Sequence, residues 1–211
     1  MHQVRAPRTL GAAYSTQLCV EARFGRYDEA RRIGQRAVRL CEMTGADRTA
    51  FVVSGNLMEC AMEMGDIDTA IQFGRDLAVR LRGTSHSDVL AFVLGLLGGA
   101  LTERGDLDEA LGTARQAMQL LRDEGMLFGQ FDYLALRAGL AGRLEDSARI
   151  IGYADWIYRA AGRPREPIGE RAATRLSALL IAALTDSEIA DLKDEGALLT
   201  EGQAMTLALS I

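Results

Sequence analysis

The sequence predicts an all-α fold, an α-solenoid of stacked helix-turn-helix repeats closed by a C-terminal helical cap. Three observations carry that reading. A phrase of Gly, polar, apolar, acid and then a small residue recurs as "GRYDEA" from Gly25, "GDIDTA" from Gly65, "GDLDEA" from Gly105 and "GRLEDSA" from Gly142. Its closing residues Ala30, Ala70, Ala110 and Ser147 are spaced 40, 40 and 37 residues apart, and self-similarity at such a period marks a repeat architecture. The residues after each phrase are periodic too. Leu107, Ala110, Leu111, Ala114, Ala117 and Met118 become Ile67, Ala70, Ile71, Gly74, Leu77 and Ala78 one repeat earlier, and Tyr27, Ala30, Arg31, Gly34, Ala37 and Val38 before that. The spacing traces one face of an α-helix, broken only by Arg31. The same set includes Leu121, Leu81 and Cys41. Finally, the prolines are Pro7, Pro164 and Pro167, so nothing interrupts helices between Arg8 and Arg163.

The elements come in a fixed order. Repeats fill residues 1–161, in units at about 8–44, 47–83, 86–124 and 126–161, each a helix A, a glycine turn, a helix B and a link. "TAFVVSGNLMECAMEM", "SDVLAFVLGLLGGALTE" and the shorter "FGQFDYLALRAGLA" have helical length and apolar faces. Leu57, Leu97 and Leu134 each precede the phrase-ending residue by 13 positions. The links are "TGADR" at 44–48, "RGTSHS" at 82–87 and "DEGM" at 123–126, all rich in turn formers. The acids of the phrase, Asp106, Asp108 and Glu109, stand where helix B begins and its dipole favours negative charge. Gly34, Gly74 and Ala114 are small enough to let neighbouring helices approach. A single hairpin cannot bury both faces, whereas stacked hairpins can. Unit 1 is atypical, with Gln17 at the repeat leucine. The fourth copy weakens at Asp155.

Residues 162–211 form the cap. "GRPREP" at 162–167 breaks the chain and a helix comes next over Ile168–Leu184. Thr185, with Glu188 three residues on, predicts a capping box for a helix over Asp186–Glu195. Thr200 caps a last short helix. Tyr153, Trp156 and Tyr158 read as core joining the fourth unit to the cap.

Composition narrows the function. Net charge is −5, which argues against direct nucleic-acid contact. Residues 1–44 carry +4 and residues 185–211 carry −5, a contrast that reads as solvated helix faces or as steering for head-to-tail association. Cys19, Cys41 and Cys60 are odd in number and form no C-x-x-C, as free thiols of a reducing cytoplasm would. The apolar run Val89–Leu101 is short of the ~20 residues that span a bilayer, so no membrane segment is expected. Lys193 is the only lysine and lies in no G-x-x-x-x-G-K-[ST], which removes a phosphate-binding loop. His2 and His86 are the only histidines. His86, beside Ser85, Ser87 and Asp88, reads as an inter-repeat turn whose Ser or Asp caps the next helix, because triads are assembled in space rather than from neighbours. No metal-ligand spacing is visible and no cofactor is expected. The chain is therefore not expected to be an enzyme.

The turn glycine, the Asp/Glu pair, the small residues Ala30, Ala70 and Ala110, and Ala37, Leu77 and Ala117 seven positions later resemble the tetratricopeptide repeat. The period of 40 exceeds that family's 34, and Gly34, Gly74 and Ala114 stand where helix B usually carries an aromatic. The tail is similar to the C-terminal region of large bacterial transcriptional regulators of the NTPase plus winged-helix or helix-turn-helix type. That resemblance rests on Gly152–Ala154, Pro164–Pro167, Glu170–Ala172, Asp194–Leu198 and Gly202–Leu209. It implies an interaction or sensor module that binds a peptide, a partner protein or an effector, or that self-associates as a homodimer.

The repeat offset gives the candidate binding residues. In the resembled family, A-helix residues line the concave groove. Arg23, Glu63 and Glu103 are equivalent positions, and Glu59 stands one turn before Glu63, so both acids share a helix side. They suit a basic peptide or small cation, or are plain solvent-facing carboxylates. Arg31, Arg32, Arg36 and Arg39 crowd one helix and suit an acidic partner, or form a solvated face that covers apolar surface. A groove holding a small-molecule effector is the alternative from another class; it requires a deep, largely apolar pocket with a few convergent polar groups.

Overall fold

The repeated phrase folds as the turn inside each hairpin, and it does so identically four times. A computed structural model describes residues 5–124 and 130–210. Among these, eleven α-helices succeed one another without a strand: α1 (Arg5–Arg23), α2 (Tyr27–Met43), α3 (Asp47–Glu63), α4 (Ile67–Leu81), α5 (Ser87–Arg104), α6 (Leu107–Glu124), α7 (Gln130–Leu140), α8 (Leu144–Ala161), α9 (Pro167–Ile181), α10 (Asp186–Ala197) and α11 (Glu201–Leu209). His2, part of the link at 123–126, the start of the unit placed at 126 and the side chain of Leu121 lie outside the described residues.

Gly25, Gly65, Gly105 and Gly142 take φ of 71°, 79°, 97° and 81°, a region that a Cβ disfavours. The next N–H then folds back onto the closing turn of helix A: Arg26 to Glu21 O at 2.9 Å, Asp66 to Ala61 O at 2.9 Å, Asp106 to Leu101 O at 3.0 Å and Arg143 to Ala138 O at 2.9 Å. These bonds satisfy carbonyls that a helix end leaves open. The carbonyls of Arg26, Asp66, Asp106 and Arg143 accept from Ala30, Ala70, Ala110 and Ser147, which starts helix B. The weaker fourth copy therefore has the same turn geometry as the other three.

The chain forms two compact units, the first ending at Leu97 and the second beginning at Gly98, within α5. In the first unit the small positions of helix B receive leucine and methionine tips. A Cβ on Gly34 would lie 2.4 Å from Leu18 Cδ1 and 2.5 Å from Leu57 Cδ2, and one on Gly74 would lie 2.7 Å from Met58 Cε and 3.2 Å from Leu97 Cδ1. Leu18 and Met58 are repeat equivalents, as are Leu57 and Leu97. Each B helix thus seats the same two side chains, one from its own A helix and one from the next. Where Arg31 interrupts the apolar set, Arg31 is exposed and Ile33 supplies the buried side chain. Adjacent A helices also meet through Gly55, whose missing Cβ admits the Phe92 ring, and through Asn56 Nδ2 donating to Ser15 Oγ at 2.8 Å. Arg48 pairs with Asp88, and Arg80 with Glu42 at 3.1 Å.

In the second unit Gly98 lets α6 close in at Ala110 and Ala114, and Gly99 admits the ring of Tyr133 from α7. In the cap, α9 packs on α7 while α10 packs on α8. A Cβ on Gly152 would lie 2.2 Å from Lys193 O, and one on Gly196 would lie 2.0 Å from Arg149 O. There, backbone meets backbone. Both capping boxes form, Thr185 with Glu188 and Thr200 with Gln203. Tyr153 and Tyr158 are buried, as core residues should be, but Trp156 is 43% exposed. It stands two positions past buried Ala154, about 200° around α8, and so faces outward rather than joining the core.

Candidate functional site

Around α3 the first unit leaves a pocket that no side chain fills. Its volume is about 150 Å³, and it lies between α2, α3 and α4. Met58 and Cys60 are its buried base, Leu57 and Ala61 its half-buried walls. Arg31, Gln35, Met64, Asp66, Thr69 and Phe73 form an exposed rim. The short side chains of Ala61 and Thr69 leave the space open. Met64 and Phe73 stay 43% and 40% exposed beside it. Cys60 is no nucleophile here: burial, with the charge of Glu63 adding to it, pushes its thiol up to about 11, and the thiolate is the reactive form.

The predicted A-helix row divides. Glu59 and Glu63 are half-buried on α3, two positions after the pocket residues Leu57 and Ala61, which turns them to the opposite side of the helix. Arg23, at the end of α1, is exposed. All three are already engaged in polar or electrostatic interactions. Glu103 belongs to the second unit, where α9 covers it. Arg171 Nη2 donates to its Oε1 at 2.6 Å, and Arg175 Nη1 donates to its backbone carbonyl at 3.0 Å. The α2 arginines form an exposed face. Arg31 donates to Asp28 at 2.8 Å, Arg32 grips both oxygens of Glu29 at 2.9 and 2.7 Å, and Arg36 lies 5.7 Å from the centre of the Tyr14 ring. Arg39 is exposed on the same helix. Of the four, Arg31 borders the pocket. His86 sits in its turn, its N–H on Thr84 Oγ1 at 3.3 Å and its ring 5.9 Å from that of Phe51.

A second arrangement escaped sequence reasoning. Asp132 of α7 is fully buried, and its oxygens accept from Arg165 Nε at 2.9 Å and from the Tyr158 hydroxyl at 3.0 Å. Arg165 continues through Nη2 to Asp155 Oδ1 at 2.5 Å, and Lys193 Nζ meets Asp155 Oδ2 at 2.5 Å. Burial raises the Asp132 carboxyl to about 6, although Arg165 and Tyr158 pull it the other way. Two signals pointed here: Asp155, where the fourth copy loses its apolar face, and Lys193, the only lysine.

Among the described residues no three His, Cys, Asp or Glu side chains gather as a metal site would need, and no helix is long and apolar enough to cross a membrane.

Comparison with known proteins shows the class of fold. No family model and no curated protein sequence matches the chain. Solved structures do, among them two of nearly identical TPR-like repeats from a Podosopora anserina kinesin light chain candidate. The Q17M form superposes with a TM-score of 0.61 at 14% identity, over 90% of this chain and 93% of that one. The other has the same TM-score and identity, over 91% and 95%. The fold is thus that of a TPR-like helical-repeat solenoid.

Proposed function

We propose that this chain is a non-catalytic docking module that recognises a protein or peptide by taking one apolar side chain between α2, α3 and α4. The observation that carries this is the pocket itself. At about 150 Å³ it matches one aliphatic or aromatic group, since a cavity of about this size holds benzene. Met58 and Met64 give it an adaptable lining. Arg31, Gln35, Asp66 and Thr69 ring it with polar groups that fix the orientation of a bound chain. TPR-like repeats generally present such surfaces to protein partners. Glu59 and Glu63, around α3 from the pocket, are a secondary contact for basic residues of the partner. Arg31 and Arg32 of α2 and Glu103 contribute less to this reading, because Asp28, Glu29 and Arg171 already pair their charges; Arg36, Arg39 and a homodimer are weaker alternatives for the contact. The wider setting is a cytoplasmic bacterial transcriptional regulator, with repeats over 1–161 and a cap over 162–211; the tail motifs support this setting.

The test is selection of displayed peptides against the chain, followed by affinity measurement on Ala61→Phe, which fills the pocket. Selected peptides should share an apolar anchor and lose at least about tenfold in affinity to the variant, the scale of one buried hot-spot side chain. Peptides that bind the filled pocket as well as the open one would overturn the proposal. A reading frame continuing upstream into an NTPase or DNA-binding domain tests the regulator setting.

A further inference from the structure

The cap holds a second cavity of a different character. Because α9 lies on α7 and α10 lies on α8, the two cap helices touch little and leave a cleft between them of about 480 Å³. That is within the range of small-molecule sites, roughly 300–1,000 Å³. Ile151 and Asp155 of α8 floor it, and the short side chains Ala173, Ser177 and Ala178 keep the α9 wall low. Its lining is divided. Asp155, Arg165, Glu170 and Lys193 gather around the start of α9. Leu180 and Ile181 stand at the far end of that helix, beyond Glu170 by about 15 Å of helical rise.

The charged group is built rather than accidental. Asp132 holds Arg165 from the buried side. Asp155 holds Arg165 and Lys193 together, one on each oxygen. The close approach of Gly152 to the Lys193 backbone sets where that lysine leaves α10. An ammonium has three N–H donors and a guanidinium five, so Lys193 and Arg165 retain donors beyond those given to the aspartates. Glu170 adds an exposed acceptor on the facing wall. The cleft thus offers cationic donors on Lys193 and Arg165 and an anionic acceptor on Glu170, continued by an aliphatic surface.

We infer that this cleft binds a small aliphatic zwitterion of dipeptide size, its carboxylate on Lys193 and Arg165, its ammonium on Glu170 and its side chains on Leu180, Ile181 and Ile189. A ligand with only a carboxylate leaves Glu170 unpaired and adds an anion beside Asp155. A ligand with only an ammonium faces Lys193 and Arg165. A zwitterion meets both signs and adds no net charge to the cluster. The site lies within the second unit and does not depend on the docking pocket of the first.

The test is calorimetric titration of the whole chain with L-leucyl-L-leucine, against N-acetyl-leucyl-leucine, which keeps only the carboxylate, and leucyl-leucinamide, which keeps only the ammonium. The dipeptide should bind, and each blocked form should bind at least about tenfold more weakly, the scale of one charged hydrogen bond. Glu170→Gln should remove the preference over the carboxylate-only form. Ala178→Trp, at an exposed position, should close the cleft and abolish binding with the thermal melt unchanged. Ala61→Phe should leave dipeptide binding intact, which separates this site from the docking pocket. No heat with the dipeptide, equal binding of either blocked form, or wild-type affinity in Ala178→Trp would overturn the inference.

Discussion

In the first unit glycines make room for side-chain tips; where α8 and α10 cross they make room for backbone. Gly34 and Gly74 sit against the ends of leucine and methionine side chains, which can rotate away. Gly152 and Gly196 sit against carbonyls and Cα atoms of a crossing helix, which cannot. The polar chemistry differs in parallel. The first unit keeps its ion pairs on the surface, as in Arg32 with Glu29, whereas the second buries a linked set around Asp132. A repeat that must be stacked several times uses interchangeable contacts. The α8–α10 crossing, which occurs once, uses contacts that admit one arrangement.

The largest effect should come from Arg165→Met. It leaves Asp132 buried without its cation, and breaking such a pair costs about 3–5 kcal/mol. For a chain of this size each kcal/mol lowers Tm by about 2–4 °C, so a fall of about 10 °C is expected in a thermal melt. A change within about 2 °C would be inconsistent with a buried ion cluster holding the cap, by the same scale. The pH profile sharpens this. Burial lifts Asp132 from the ordinary 3.8 to about 6, so the folded chain holds that proton more firmly than the unfolded one. Its contribution to stability therefore falls as pH rises from about 4 to about 6 and is level above that. In Arg165→Met the carboxyl loses its cation and shifts further up, so the decline should continue to higher pH. Asp132→Asn should flatten it. Denaturant midpoints measured from about pH 4 to about pH 8 decide the matter, spanning the window in which the carboxyl titrates. Identical profiles for all three chains would contradict the assignment.

Next comes the matched pair of glycines. Gly196→Ala puts a methyl on Arg149 O, so α10 must lift from α8, at about 3 kcal/mol, the upper part of the usual overpacking range. Gly34→Ala meets only Leu18 and Leu57 tips, and the gain in helix propensity of up to about 1 kcal/mol offsets their displacement. The second variant should stay within about 1 kcal/mol of wild type in urea unfolding. Equal costs at the two sites would erase the contrast between the units. Smallest of all, Arg32→Ala on the exposed α2 face should leave the melting temperature unchanged.

Much of the repeat was legible because it is local. The glycine, the acids after it and the small residue that closes the phrase act within six positions, and the four turns repeat the same backbone bonds. Even the fourth copy kept them, although its apolar set had thinned. Capping at Thr185 and Thr200 was legible for the same reason. Trp156 reads as core in the sequence because it neighbours buried tyrosines, but its angular position on α8 turns it outward. Asp132 was invisible, standing inside the apolar stretch "FGQFDYLALRAGLA" with nothing nearby to mark a partner. Its cation, Arg165, is 33 residues away beyond a helix and a proline-bearing link.

From the sequence alone came the helical class, the place of each hairpin turn and most of the apolar face that each repeat helix B buries. These depend on backbone hydrogen bonding and side-chain period, which involve residues a few positions apart. Which glycines touch side chains and which touch backbone, the covering of Glu103 by α9, and the places of the α2–α3–α4 pocket and the α9–α10 cleft came from the packed fold. Those depend on how helices cross and how closely they approach, and the space left between two helices is a property of neither sequence alone.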